Sequence, residues 1–138
     1  MKIYVASSWR NKHQPEVVQT LRREGFEVYD FREDGGFHWS DVDPEWEDWN
    51  FGGYMSGLAH PISQDGFNTD FENMKSSDAC VLVLPCGRSA NLEAGYFVGA
   101  GKPLFIYIPE MMEPELMYNM ATGIFEDLPQ IVSSLKGI

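Results

Sequence analysis

The feature that most constrains the fold is a repeated order of apolar runs and helical segments. Residues 79–84 form a continuous apolar run, which is typical of a parallel strand buried on both faces. A helical segment at 90–100 follows and stops at Gly101, and a further apolar run at 103–108 comes next. A strand, a helix and a strand in this order predict a βαβ unit with a right-handed crossover.

The same order opens and closes the chain. Pro15 suits the first turn of a helix whose inner face carries Val17, Val18 and Leu21. The remaining predicted elements are strands at 2–6 and 26–31, a helix at 68–77, a short helix at 114–121, a weak strand near Ile124 and a closing helix at 128–135. Alternating strands and helices predict an α/β fold, a single-domain flavodoxin-like or Rossmann-like three-layer sandwich with a parallel sheet of about five strands.

One segment departs from this regularity. Residues 32–66 hold six glycines and three tryptophans, with one short helix predicted at 44–49. We interpret 1–138 as one domain with a Trp- and acid-rich insertion at about 32–66. A long irregular insertion in a compact domain is often a functional lid, although its aromatic residues would also serve simply to pack it onto the domain. The sequence leaves both interpretations open.

The charge is strongly negative and unevenly spread. Residues 32–66 contain eight acids and one arginine, so they carry −7 of the formal net charge of −11. Such a chain repels polymeric nucleic acid, whose binding depends on cations, but a local cluster can still bind a single nucleotide. No apolar run is long enough for a signal peptide or a membrane span, so we expect a cytoplasmic protein without membrane partners. Cys80 and Cys86 are too far apart along an extended chain to form a disulfide.

Two polar loops follow predicted strands. Ser7, Ser8, Trp9 and Arg10 come after the first strand, and residues 85–89 come after the central strand. Ligands of open parallel sheets bind beyond the carboxyl ends of the strands, so both loops are candidate binding loops. Neither contains a Walker A motif or a G-x-G-x-x-G fingerprint. A serine near a helix start is commonly only a cap.

Glu93 is the sharpest candidate for chemistry. It is expected on about the first turn of the helix at 90–100, where the helix dipole favours the ionised form that a nucleophile needs. The alternative is an ordinary first-turn acid. Gly95 and Gly99 are four residues apart and predict a smooth helix face for another element to pack against.

Three groups of residues together resemble a known family. They are the opening at 3–10, Asp70 eight residues before Asp78, and the segment 92–96 followed by Gly99 and by Gly101, Lys102 and Pro103. This pattern is similar to that of the nucleoside 2-deoxyribosyltransferase superfamily, which includes the 2'-deoxynucleoside 5'-phosphate N-hydrolases. The resemblance covers nearly the whole chain outside 32–66. Phe97 departs from the small residue of the family pattern.

The resemblance implies an enzyme that cleaves the N-glycosidic bond of a 2'-deoxynucleoside or of its 5'-monophosphate. Glu93 would attack C1' to form a covalent glycosyl intermediate, which water or an acceptor base would then resolve. Asp70 would be the second carboxylate, acting as acid and base, and the hydroxyl of Tyr4 would hold Glu93. Whether the chain is a hydrolase or a transferase stays open.

The resemblance also implies how the substrate is held. Ser8 and Arg10 match positions that bind the 5'-phosphate, and Ser89 is a further candidate. Family members complete each site with a neighbouring subunit, for which residues 116–120, including Asn119, are the counterpart, so we expect a homo-oligomer. On the insertion, Phe37, His38 and Trp39 are candidates to stack on or hydrogen-bond a base.

Two other functions remain open at this stage. One is a non-catalytic nucleotide-binding or sensing module, and the other is a glutamate-dependent glycohydrolase of the NAD type. The three histidines have no metal-ligand spacing, and Trp46 stands where a calcium loop of the EF-hand type needs glycine. We therefore expect no metal and no cofactor, and a small nucleoside or nucleotide as the partner.

Overall fold

The computed structural model describes all residues, 1–138, and its centre is a five-stranded parallel sheet. The strand order is β2-β1-β3-β4-β5, the flavodoxin-like order, which confirms the predicted fold class. The elements are β1 (Lys2–Ala6), α1 (Gln14–Arg23), β2 (Glu27–Asp30), α2 (Trp39–Val42), α3 (Phe51–Ala59), α4 (Pro61–Ser76), β3 (Ala79–Val83), α5 (Arg88–Gly99), β4 (Leu104–Tyr107), β5 (Gly123–Phe125) and α6 (Leu128–Lys136).

The two faces of the sheet follow the period of two along each strand. Ile3 and Val5 on β1 belong to one core cluster with α1 and α6, as do Val81 on β3 and Phe105 on β4. Tyr4 lies between Ile3 and Val5, so it points to the opposite face, where α5 packs on β1, β3 and β4. Helices therefore cover both faces of the sheet, and α5 shares its face with Tyr4.

The helix boundaries have local causes. The carboxylate of Asp127 caps α6 by accepting a hydrogen bond from the Gln130 amide at 2.9 Å, and Pro129 occupies the first turn. Gly101 follows α5 with φ of +74°, a conformation that a residue with a side chain rarely adopts. The short helix predicted at 114–121 is instead a 3-10 helix, Leu116–Met120.

The chain divides into two compact units, one formed by Met1–Asp30 with Ser76–Ile138 and the other by Phe31–Lys75. The second unit contains the predicted insertion, and it has more regular structure than we predicted. Helix α4 begins at Pro61 rather than near residue 68, and α3 precedes it, whereas the helix expected at 44–49 is only a 3-10 turn, Trp46–Asp48. The glycines within α3 hid this helix, because glycine has low helix propensity.

Those glycines make room for Trp49. A Cβ atom on Gly57 would lie 2.3 Å from Cη2 of Trp49, so the indole packs directly on the backbone of α3. The indole nitrogen of Trp49 donates to Asp43 at 2.8 Å, and the ring meets that of Trp39 edge to face. The backbone amide of Glu45, and after it this hydrogen bond from Trp49, lower the pKa of Asp43. Trp49 is thus a packing residue of this unit.

None of the helices combines the length and the apolar character needed to cross a bilayer.

Candidate active site

The carboxyl ends of β1 and β3 lie side by side at the centre of the sheet. The chain leaves β1 toward β2 on one side and later returns to build β3, β4 and β5 on the other, so the strand order reverses between β1 and β3. In open α/β sheets this reversal point is where ligands bind. Residues 7–13 follow β1 and residues 84–87 follow β3, so both predicted binding loops meet there.

Glu93 is held at this point by Tyr4. The Tyr4 hydroxyl donates a hydrogen bond to Oε2 of Glu93, as the resemblance implied. Helix α5 begins at Arg88, so Glu93 is its sixth residue and lies in the second turn. The expectation of a first-turn acid was wrong, and since the helix dipole weakens beyond the first turn, the phenol is the stronger local support for a carboxylate at this position.

Tyr4 is itself fixed by aromatic rings. It is fully buried, and its ring packs between Tyr29, at a centroid distance of 5.2 Å, and Phe97, at 5.6 Å. Phe97 is also fully buried, so the residue that departs from the family pattern supports the tyrosine that holds Glu93. No element of this chain packs on the smooth face predicted for α5. Gly95 and Gly99 are exposed and nothing packs on them, because the buried side of α5 carries Ala90, Ala94 and Phe97.

We expect Tyr4→Phe to keep the fold and to lose part of the activity. The ring would still fill the space between Tyr29 and Phe97, but Glu93 would lose one hydrogen bond from a buried donor. A lost hydrogen bond to a charged group costs about 1.5–3 kcal/mol, so kcat should fall roughly 10- to 100-fold. Steady-state kinetics and a melting curve measure both effects. Unchanged kcat would show that the contact has no part in turnover.

The loop after β1 places its four candidate residues differently. Ser7 is buried, and its hydroxyl donates to the carbonyl of Val83 at 2.9 Å. Ser8 is half-buried, whereas Trp9 and Arg10 are exposed. Arg10 forms no ion pair within the chain, although acids outnumber bases 21 to 10. Its guanidinium is therefore available to an anionic ligand.

Ser89 is exposed in the first turn of α5. The residue that caps this helix is Gly87, which offers no side-chain oxygen. The first amides of α5 therefore have no side-chain cap from that residue.

Sequence reasoning missed a cluster beside the start of α5. The side-chain oxygen of Asn91 accepts a hydrogen bond from the Tyr118 hydroxyl at 2.8 Å and one from the Cys86 thiol at 3.6 Å. Burial and the neighbouring Cys86 raise the pKa of Tyr118 to about 12, so its hydroxyl stays protonated and able to donate at neutral pH. Nothing local in the sequence indicates this cluster, since Tyr118 is 27 residues from Asn91.

The pKa of the Cys86 thiol depends in part on the charge of Glu93. Burial chiefly raises the pKa of Cys86, and the negative charge of Glu93 raises it further, whereas the neighbouring hydroxyl of Tyr118 lowers it. We therefore expect Glu93→Gln to lower this pKa and to speed alkylation of Cys86 by iodoacetamide at pH 8, because the thiolate is the reactive form. Rates followed by mass spectrometry from pH 6 to 10 test this.

Cys80 is an internal control for the same experiment. It is fully buried, and burial together with Glu93 raises its pKa well above the ordinary value, so it should stay unlabelled in the folded protein. A rate at Cys86 that is equal or slower in Glu93→Gln would contradict the electrostatic link.

The other candidate residues lie in the unit Phe31–Lys75. Asp70 is half-buried on α4, and Trp39 is half-buried at the start of α2, where it meets Phe37 edge to face at 4.7 Å. His38 is exposed, and its Nε2 lies 2.8 Å from the carbonyl of Gly35.

Asn119 is exposed in the 3-10 helix Leu116–Met120. Its amide nitrogen donates to the carbonyl of Leu116 at 2.8 Å.

Solved structures share this fold over nearly the full length of the chain. A 2-deoxyribosyltransferase from Bacillus psychrosaccharolyticus is 24% identical, with a TM-score of 0.64 over 96% of this chain and 90% of that one. A conserved protein from Enterococcus faecalis V583 is 14% identical, with a TM-score of 0.65 over 99% and 98%. A CMP N-glycosidase from Clostridium botulinum is 12% identical, with a TM-score of 0.55 over 99% of each chain.

No protein-family model and no curated protein sequence matches the chain. These neighbours include a 2-deoxyribosyltransferase, so the likeness in fold agrees with the resemblance that the sequence motifs predict.

Proposed function

We propose that this chain is an enzyme that cleaves the N-glycosidic bond of a 2'-deoxynucleoside 5'-monophosphate or of the parent 2'-deoxynucleoside. The observation that carries the proposal is a glutamate, Glu93, held by the buried hydroxyl of Tyr4 at the reversal point of the sheet. The likeness in fold to a 2-deoxyribosyltransferase and to a CMP N-glycosidase supports the same reaction class.

The mechanism assigns one role to each carboxyl group. The carboxylate of Glu93 attacks C1', the bond from C1' to the base nitrogen breaks, and a glycosyl ester forms on Glu93. Asp70 donates a proton to the leaving base and then takes one from the water, or from the acceptor base, that resolves the ester. The role of Asp70 comes from the resemblance, and its substitution is the test.

The loop after β1 would bind a phosphate group of the substrate. Arg10 is exposed and unpaired in a chain of net charge −11, and Ser8 precedes it by two residues in the same loop. An arginine and hydroxyl groups are the donors that bind a phosphate dianion well. We assign Ser8, Arg10 and Ser89 to this part of the substrate. Trp9 stays a candidate for other contacts to the substrate, whereas the hydroxyl of Ser7 already donates to Val83. The proposal therefore favours a monophosphate over a nucleoside.

Contacts to the base are assigned to His38 and Trp39. His38 offers ring nitrogens and Trp39 offers an aromatic face, and stacking on an aromatic face tolerates every base. The proposal names no particular base.

A second copy of the chain is part of the proposal. Around Asn119, the side chains of Leu116, Met117 and Met120 are 78%, 56% and 49% exposed. An apolar surface of this kind is typical of an interface, and Asn119 would then reach the site of a neighbouring copy. Light scattering coupled to gel filtration measures the mass, and a monomer at assay concentration that still turns over substrate would contradict this part.

A chromatographic assay on a substrate panel tests the function. The panel contains deoxynucleosides, their 5'-monophosphates and ribonucleotides including NAD, each with and without a free acceptor base. Release of a base from monophosphates without an acceptor supports a hydrolase, whereas a new nucleoside formed only with an acceptor indicates a transferase. Cleavage of NAD alone indicates a glycohydrolase of that type, and binding without turnover indicates a sensing module.

Arg10→Ala tests the preference within this panel. We expect KM for monophosphates to rise about 10- to 100-fold, with little change for nucleosides, because a charge-assisted hydrogen bond to phosphate is lost. Arg23→Ala is the matched control, since Arg23 is an exposed arginine at the opposite end of α1.

A further inference from the structure

Asn11 joins the two loops that meet at the carboxyl edge of the sheet. Its side chain is buried, with 3% of its surface exposed. The amide nitrogen donates to the carbonyl of Val83 at 3.2 Å and to that of Pro85 at 2.9 Å. The amide oxygen accepts from the backbone amides of His13 at 2.7 Å and Gln14 at 2.9 Å.

These four contacts divide into two tasks. The oxygen caps α1, whose own N-cap residue, His13, provides no side-chain cap. The nitrogen binds the end of β3, where Val83 is the last residue of the strand and Pro85 directly precedes Cys86. The carbonyl of Val83 lies beyond the last residue pair of β1 and β3, so Asn11 together with Ser7 takes the place of a further strand contact.

Only an amide of this length performs both tasks. Aspartate would still cap α1, but an ionised carboxylate cannot donate to two carbonyls. Serine would also cap the helix, but it is too short to span to β3. Of these three residues, only asparagine both caps α1 and donates to the carbonyls of Val83 and Pro85. Its side chain therefore does more than fill space in the core.

We propose that Asn11 is a positioning residue that holds the loop of Ser8 and Arg10 at a set distance from the helix of Glu93. The backbone amide of Asn11 also donates to the carbonyl of Ser8 at 3.2 Å, so the loop closes on the same residue. The expected effect of Asn11 on kinetics rests on the proposed function. One substrate must reach the phosphate loop and the nucleophile at once, so the spacing of the loops decides whether C1' lies in reach of Glu93.

Asn11→Asp tests the link between the two loops, because aspartate cannot donate to the carbonyls of Val83 and Pro85 but still caps α1. We expect kcat/KM for a 5'-monophosphate to fall about 10- to 100-fold, and its advantage over the parent nucleoside to shrink, since a displacement of about 1 Å is enough for such losses. Leu135→Ala is the control for stability alone. It removes a fully buried side chain of α6 near the Glu24–Lys136 ion pair, at the other end of the sheet. A loss equal for both substrates, or equal to that of Leu135→Ala, would overturn the proposal.

Hydrogen exchange measured by mass spectrometry tests the same link without any substrate. In Asn11→Asp we expect faster exchange in residues 84–88 and faster alkylation of Cys86, while the amide of Gln14 stays protected by the retained cap. Exchange that changes only in residues 7–14, with Cys86 unaffected, would overturn the link even if the protein proves to have no activity. If exchange changes as expected but no substrate is turned over, the proposed function is contradicted and the link between the two loops still holds. If Asn11→Asp does not fold, Asn11→Ser gives the same contrast without a charge.

Discussion

Replacing Glu93 with glutamine is expected to lower kcat by about 10⁴-fold or more, because the amide cannot form the glycosyl ester. The substitution is nearly isosteric and leaves Tyr4 a carbonyl oxygen to donate to, so the fold and the melting temperature should change little. KM should change much less than kcat, since the phosphate and the base are assigned to other residues.

A trapping experiment separates a nucleophile from a residue that only orients the substrate. Acid quench during turnover, followed by digestion and mass spectrometry, should find the mass of the sugar on the peptide that contains Glu93. Glu16→Gln is the matched control, as Glu16 is an exposed glutamate in the first turn of another helix of the same unit. Activity within tenfold of the parent in Glu93→Gln would refute the covalent mechanism through Glu93.

Replacing Asp70 with asparagine is expected to lower kcat by about 10²- to 10⁴-fold, the usual contribution of a general acid and base. The loss should depend on the leaving group. A substrate whose base leaves easily without protonation should lose much less than one whose base needs the proton, and this dependence distinguishes an acid from a residue that merely supports the fold.

Asp65→Asn is the control for this second experiment. Asp65 is an exposed aspartate on the same helix, α4, so the chemical change and the element are identical. Equal losses for good and poor leaving groups in Asp70→Asn, or equal effects of the two substitutions, would remove Asp70 from the mechanism. The proposal would then keep Glu93 and need a different proton donor.

Local patterns were sufficient for the elements of the sheet. The runs at 2–6 and 79–84 predicted β1 and β3 to within one residue, because strands buried on both faces are continuously apolar. The pattern failed in the unit Phe31–Lys75, where Gly52, Gly53 and Gly57 made α3 look irregular. In the folded chain Trp49 packs on two of those glycines, Gly53 and Gly57, a contact that no helix propensity records.

The candidate active site also has one part that the sequence predicts and another that it does not. The order of strands and helices along the chain was enough to predict that Glu93 and the loop of Ser8 and Arg10 lie at one edge of a parallel sheet, since parallel strands bring their carboxyl ends together. The contacts that hold them there arise from the folded packing: the family resemblance implied the one between Tyr4 and Glu93, but nothing in the sequence indicated the one between Asn11 and Pro85. Tyr4 and Glu93 are 89 residues apart, and Asn11 and Pro85 are 74 apart. A hydrogen bond between such residues depends on the packing of every element between them, so no local pattern of residues predicts it.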